Sequence, residues 1–251
     1  MRGRERETIA SIEAAESQDL RDGSENLGPI QKPKSLTQIA YETIKGGILS
    51  GKLAVGKGYS ELGLAREMGI SRTPIREALL KLEAENFVVF HPRKGVSINY
   101  FSKKDIEDLF ELRQVIEETV MSKIMGKLSK DDIVFIRSIV NEQEKCIKNR
   151  RYDEKLFLEL DKKFHLSMIE LGRNKFTVQT YKNIRDYITI TGRTKKERVK
   201  EVFREHEAIV EALSQNNIKK AKHAIRRHLS NSKLSVLEYE KSKVPSSSPG
   251  R

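Results

Sequence analysis

Two observations fix the fold class. Three short amphipathic segments followed by two β-type runs occupy residues 35–99, and from residue 102 to 240 the apolar spacing is helical throughout. Together they predict a mainly α protein, an N-terminal winged helix-turn-helix domain plus a C-terminal antiparallel helical bundle. Composition agrees: there is no Trp, aromatics make up 6% and charged residues 33%, and a chain of 251 residues is long enough for two cores.

Residues 1–34 combine scattered charges with Pro29 and Pro33 and are expected to be a flexible tail, as are residues 241–251, which end in KVPSSSPGR. Leu36–Ser50 reads as a helix with Tyr41, Ile44 and Ile48 on one face and Gly51 just past its end. A Gly-rich turn, Val55 to Gly58, precedes a short helix from Ser60 to Met68 that Gly69 stops. Ser71 is placed to N-cap the third helix, Pro74 falls in its first turn, and Ile75, Ala78, Leu79 and Leu82 share a face. Phe87–Phe90 and Val96–Asn99 flank His91-Pro92-Arg93-Lys94-Gly95 as a hairpin. Six helices follow at 102–127, 129–149, 153–171, 174–191, 195–215 and 217–240, two of them opened by Ser-x-x-Asp capping signals (Ser102/Asp105, Ser129/Asp132). Their short connections imply antiparallel neighbours, in the domain expected over residues 102–240.

No apolar run reaches the ~20 residues needed to cross a bilayer, the N-terminus lacks a signal-peptide core, and Cys146 stands alone; the expected location is the cytoplasm, with no membrane partner. The net charge of +12 permits nucleic-acid binding without locating it. Residues 1–34 carry −1, residues 35–99 carry +3 and residues 100–251 carry +10, so most of the excess lies outside the expected DNA-reading segment.

If Ile75, Leu79 and Leu82 face the core, Arg72, Thr73 and Arg76 project from the opposite side of the helix's first turns. A recognition helix presents side chains to the major groove from there, and Arg pairs two donors with guanine O6 and N7. The Thr hydroxyl or the free amides of the helix start at Ser71 suit a phosphate, and Arg93 and Lys94 beside Gly95 could reach the minor groove or the backbone. An isolated Arg-x-x-x-Arg is usually a solvated helix face; three helices and a wing in the right order reverse that weighting. Residues 36–99 resemble the N-terminal domain of the GntR family of bacterial regulators, above all in Ser71-Arg72-Thr73-Pro74-Ile75-Arg76-Glu77-Ala78-Leu79 and in Tyr41, Ile44, Gly51, Leu53, Gly56, Glu61, Leu64 and Ala65. Leu62 departs from the family pattern, standing where some relatives place a DNA-contacting Arg.

Helical-wheel placement makes a second case. Asp161 and His165 are i, i+4 inside the apolar arc of Phe157, Leu158, Phe164, Met168 and Ile169; His206 sits amid Val202, Ile209 and Val210; His228 sits amid Ala221, Ile225 and Leu229. Four such groups turned inward need a shared partner, since burying them unpaired is costly. One Asp and three His suit a divalent transition metal such as Zn, Ni or Mn. A single core His is usually just hydrogen-bonded, and His223 (on the polar face) and His91 (in the wing) are read that way. In helix 102–127, Arg113 and Glu117 share the apolar arc, either as a buried ion pair or with Arg113 gripping an effector carboxylate bidentately. This region resembles the FCD-type ligand-binding domain, whose Asp-x-x-x-His and two later histidines match Asp161, His165, His206 and His228. The resemblance implies a homodimer, a bound metal and a small carboxylate effector at the metal.

The function expected is therefore a sequence-specific regulator of transcription, not an enzyme, bound as a homodimer to a short inverted repeat in double-stranded DNA and controlled by a small carboxylate metabolite. The alternatives are a metal-dependent hydrolase, for which the sequence offers no di-iron Glu-x-x-His pair and no Ser, Cys or Lys nucleophile with a convincing partner, and a non-specific architectural DNA binder, which would not need four inward-facing ligating groups.

Overall fold

The computed structural model describes residues 33–191 and 198–243. The helices and strands follow the order α1 (Leu36–Leu49), β1 (Gly58–Tyr59), α2 (Glu61–Met68), α3 (Arg72–Ala84), β2 (Val88–His91), β3 (Gly95–Ile98), α4 (Lys103–Ile124), α5 (Lys130–Lys148), α6 (Glu154–Leu171), α7 (Lys175–Thr191), α8 (Val199–Ser214) and α9 (Ile218–Lys243). Of the N-terminal segment expected to be a tail, residues 1–32 lie outside the described residues. Among the described residues no helix is long and apolar enough to cross a membrane.

In the N-terminal part, Ala40, Ile44, Ile48, Leu64, Ile75, Leu79, Leu82, Phe87 and Val96 are almost wholly buried together. This core holds α1, α2 and α3 against the wing. Ser60 caps α2 by accepting from the Gly63 N–H at 2.9 Å, and Gly69, at φ 66°, ends it. Only three residues, Gly69 to Ser71, therefore separate α2 from α3. Ser71 does occupy the N-cap of α3, but its side chain makes no cap hydrogen bond, so its hydroxyl is left for another partner.

The wing holds one more strand than the sequence pattern indicates. The Gly-rich turn contains β1, which pairs antiparallel with β3 (Gly58 opposite Ser97), giving the order β1-β3-β2. Two residues are too few for a period-2 signal. Gly95 is required where β1 meets β3: its φ is +88°, and a Cβ there would lie 2.3 Å from the Tyr59 carbonyl oxygen.

The bundle begins at a capping box, Ser102 with Asp105, and α5 opens on a second, Ser129 with Asp132. α4 stops at Ile124, three residues before its expected end, because Gly126 takes φ +76°. α9 runs to Lys243 and so takes in the first three residues of the expected C-terminal tail; residues 244–251 lie outside the described residues. α9 packs on α8 and α4, α5 on α6 and α8, and α7 on α4 and α6, around a core that includes Ile136, Phe164, Met168, Ile209, Ile225 and Leu229.

The two parts share more than the chain. Ile190 of α7 belongs to the winged-helix core, and the Tyr187 hydroxyl donates to the Glu85 carbonyl at 2.7 Å. The Tyr187 ring also packs at a tilt against Phe87 and Phe101, at centroid separations of 5.2 and 5.4 Å. Lys45 of α1 bridges Glu85 (3.1 Å) and Asp186 of α7 (3.2 Å), 4.4 Å above the Phe87 ring; its pKa is raised despite burial, because its bonds to the Tyr41 hydroxyl and Glu85 and the charge of Asp186 favour the ammonium.

Candidate functional site

The first site is the outer face of α3 with the wing. Burial of Pro74, Ile75, Ala78, Leu79 and Leu82 fixes the roll of the helix, which leaves Ser71, Arg72, Thr73 and Arg76 exposed together at its N-terminal end. Arg72 rests on Glu61 of α2 (3.2 Å) with 63% of its side chain in solvent. Exposed ion pairs of this kind contribute about 0–1 kcal/mol, so Arg72 is readily redirected. Arg93 and Lys94 are exposed at the wing tip, with Arg93 at φ 62°, and Gly95 closes the turn. His91 is also exposed and bonds Ser97 across the hairpin at 2.7 Å. Leu62 is exposed, so at that position α2 offers an apolar group to solvent.

The second site lies inside the bundle. Asp161 and His165 from α6, His206 from α8 and His228 from α9 come together, each offering a ligand atom within 4.8 Å of the others. The three imidazoles are wholly buried. Each is held through Nδ1: His165 to Glu117 Oε2 (2.9 Å), His206 to Gln143 Oε1 (2.8 Å), and His228 to Glu205 Oε2 (2.8 Å). A carboxylate can only accept, so His165 and His228 carry their proton on Nδ1 and present lone pairs from Nε2. Those two Nε2 atoms lie 3.0 Å apart. His206 Nε2 has no hydrogen-bond partner among the described residues and stands 3.6 Å from Asp161 Oδ1. Three lone pairs and a carboxylate converging in the protein interior repel one another, and a cation removes that conflict. The donor set fits a transition metal, with imidazole orientation set by surrounding acceptors.

Protonation states agree. Burial pushes His165 down to about 4, and the Arg113 charge adds to this against the pull of Glu117 and Asp161. Burial and the neighbouring His228 and His165 hold His206 well below its ordinary range. Burial alone would raise Asp161, but Arg185 and the histidines outweigh it and keep the carboxylate ionised. Glu117 behaves likewise through His165 and Arg113.

Arg113, 1% exposed, donates from Nε to Glu117 at 2.6 Å, so the buried pair exists. Its Nη2 nevertheless has no partner among the described residues, and the same holds for Nε of Arg185, whose other end bonds Asp161. Both guanidiniums line a cavity of about 500 Å³ that also touches Asp161 and His228.

Four residues of this site escaped the sequence reading. Gln143 continues the buried stripe of Ile136, Ile139 and Val140, Arg185 lies four residues after Tyr181 and three before Ile188, and Glu205 adjoins His206. The same wheel arithmetic would have marked them as inward-facing polar groups. Tyr181, whose hydroxyl donates to Glu117 at 2.6 Å, looks like any core aromatic and gives no such signal.

Residues 36–98 match the family model for bacterial regulatory proteins of the gntR family, and residues 108–231 match that of the FCD domain. The chain is 26% identical over 202 residues to the uncharacterized HTH-type transcriptional regulator YdhC of Bacillus subtilis, covering 79% of this chain and 90% of that one. It is 25% identical over 240 residues to the Uxu operon regulator of Haemophilus influenzae, covering 88% and 87%. Among solved structures, a regulator described as GntR from Rhodococcus sp. RHA1 aligns with a TM-score of 0.69 at 17% identity, covering 82% of this chain and 99% of that one. McbR/YncC of E. coli aligns at 0.67 and 15%, with the same coverage; at these identities the likeness concerns the fold. With its exposed recognition helix, its wing and the matched C-terminal bundle, this chain belongs to the GntR family of bacterial DNA-binding transcription regulators and carries an FCD domain.

Proposed function

We propose that the protein is a sequence-specific operator-binding dimer whose bundle holds one divalent transition metal on Asp161, His165, His206 and His228, and whose DNA affinity is set by a small carboxylate beside it. The observation that carries this reading is the convergence of three Nε2 lone pairs with one carboxylate, next to guanidinium donors left unmet at Arg113 and Arg185. A metal would satisfy the first group and supply a coordination position, and an anionic ligand would satisfy the second. Arg72 and Arg76 would read base edges, with Ser71 and Thr73 on phosphate and Arg93, Lys94 and Gly95 placing the wing. Leu112 and Val115, 46% and 58% exposed on the outer face of α4, are apolar surface that a second copy would cover. A cytoplasmic location accords with this reading.

The test is metal content per subunit in the wild type and in His206→Ala, with operator affinity measured alongside. Wild type should carry about one ion per subunit and respond to the effector; His206→Ala should carry none, lose the response and still bind operator, because His206 is not part of the winged-helix core. A wild type that takes up no Zn, Ni or Mn, and whose melting is unchanged by chelator, would overturn the metal assignment.

A further inference from the structure

The cavity beside the ligating residues mixes charged and apolar lining. Asp161, His228, Arg113, Arg185 and Lys162 lie in its wall with the apolar side chains Leu49, Phe110, Leu158, Ile188, Val202 and Val236, and with further polar groups that include Glu154, Glu159, Thr189 and Ser232. Its volume, about 500 Å³, falls in the range of small-molecule sites and holds roughly seventeen non-hydrogen atoms if each takes the ~30 Å³ of a water molecule. One side of the wall does not come from the bundle. Gly46, Leu49 and Ser50 belong to the last turn of α1 and the residue after it, in the DNA-reading part of the chain.

We infer that the effector is an amphipathic monocarboxylic acid, its carboxylate at Arg113 and Arg185 and its aliphatic or aromatic body lying against α1 of the DNA-reading domain, so that one molecule touches both parts of the protein. This rests on the effector reading above and goes further by naming the ligand class and what it contacts. Two buried guanidiniums with unmet donors call for an anionic head. A hydrocarbon body buries apolar surface against Leu158, Ile188 and Val202, where a hydroxyl would find no partner; a polyhydroxylated acid would have partners only where it reaches groups such as Thr189, Ser232 or Glu159. The ligand changes DNA binding because it packs on the same helix whose Lys45 holds Glu85 and Asp186. A ligand too short to reach α1 would bind without that effect.

Gly46 gives a clean test, because a Cβ built there would meet nothing within 4 Å and the residue sits inside a helix, where a larger side chain is no burden. Full-length protein loaded with Zn is titrated calorimetrically with acetate, butanoate, hexanoate, octanoate, phenylacetate and gluconate. Affinity should rise about fourfold per added methylene up to the capacity of the cavity, and gluconate should bind no better than acetate. Gly46→Leu should weaken octanoate at least tenfold, leave acetate within twofold and leave unliganded operator binding unchanged. Acids that bind with no gain from chain length, or octanoate binding indifferent to Gly46→Leu, would overturn this inference and leave the carboxylate-effector reading standing. Failure of every acid to bind would overturn both.

Discussion

Glu117→Gln removes one charge and one acceptor from the interior, and the structure says what each loss costs. Glu117 accepts from three donors, Arg113 Nε at 2.6 Å, Tyr181 OH at 2.6 Å and His165 Nδ1 at 2.9 Å, while 3% exposed. A glutamine offers one accepting oxygen, and its amide NH₂ must point at one of those donors. Turned towards His165, the NH₂ group forces the imidazole proton from Nδ1 to Nε2, onto the atom that faces the ligand cluster. Turned the other way, it sets donors against Arg113 Nε and Tyr181 OH; in either orientation the buried Arg113 cation loses this counter-charge, a loss of about 3–5 kcal/mol for one partner of a buried pair. Replacing groups that orient ligating histidines typically weakens metal binding ~10–100-fold. Urea unfolding in chelator reads the first effect, and competition with a chromophoric chelator for Zn reads the second. Glu118→Gln, one residue away and paired instead with the exposed Arg226, should leave metal affinity unchanged. Wild-type metal affinity in Glu117→Gln, with less than about 1 kcal/mol lost in urea, would refute the role given to this carboxylate.

Three other outcomes follow from the same geometry. Arg72→Ala should cost about 1–3 kcal/mol at the cognate operator and relax base choice, whereas Lys94→Ala should weaken all sequences alike and flatten the salt dependence; equal losses on specific and random DNA for Arg72→Ala would remove it from base reading. Val115→Asp should give a monomer in sedimentation and at least tenfold weaker operator binding, and a dimer of unchanged stability would place the interface elsewhere. In chelator, stability should fall as the pH drops from about 6.5 towards 4. Across that interval an unfolded His165 takes up a proton that the folded one, pushed down to about 4, does not, an effect of about 3 kcal/mol at the acid end. Calorimetric melting temperatures independent of pH between 7 and 5 would contradict the buried neutral imidazole.

What the sequence made legible depended on periodicity. Asp161, His165, His206 and His228 stood out because each interrupts a clear apolar arc, and the structure brings all four together. The recognition helix was legible because Ile75, Leu79 and Leu82 fix its roll and so expose Arg72 and Arg76. Helix ends were less so: α4 stops just before a left-handed glycine that the apolar pattern passes over, and α9 continues three residues beyond its expected end. β1 was hidden because its pairing with β3 is set by contacts distant in sequence. The contacts of Asp186, Tyr187 and Ile190 with the winged helix were also hidden, since no one-dimensional spacing tells a helix that it serves two cores.

The junction between the two parts has a consequence for anyone wishing to exchange them. Only Asn99 to Ser102 separates β3 from α4, and both ends are tied: the Asn99 amide N–H donates to Phe87 and its side chain to Asn86, while Ser102 is locked into a capping box. A chimaera cut at this point would look modular by residue count, yet it would strand Tyr187 without Phe87 and Phe101, and Lys45 without Asp186. The transferable unit is therefore discontinuous, the winged helix together with the last two turns of α7, and a fusion that ignores this inherits a DNA reader deaf to its new bundle.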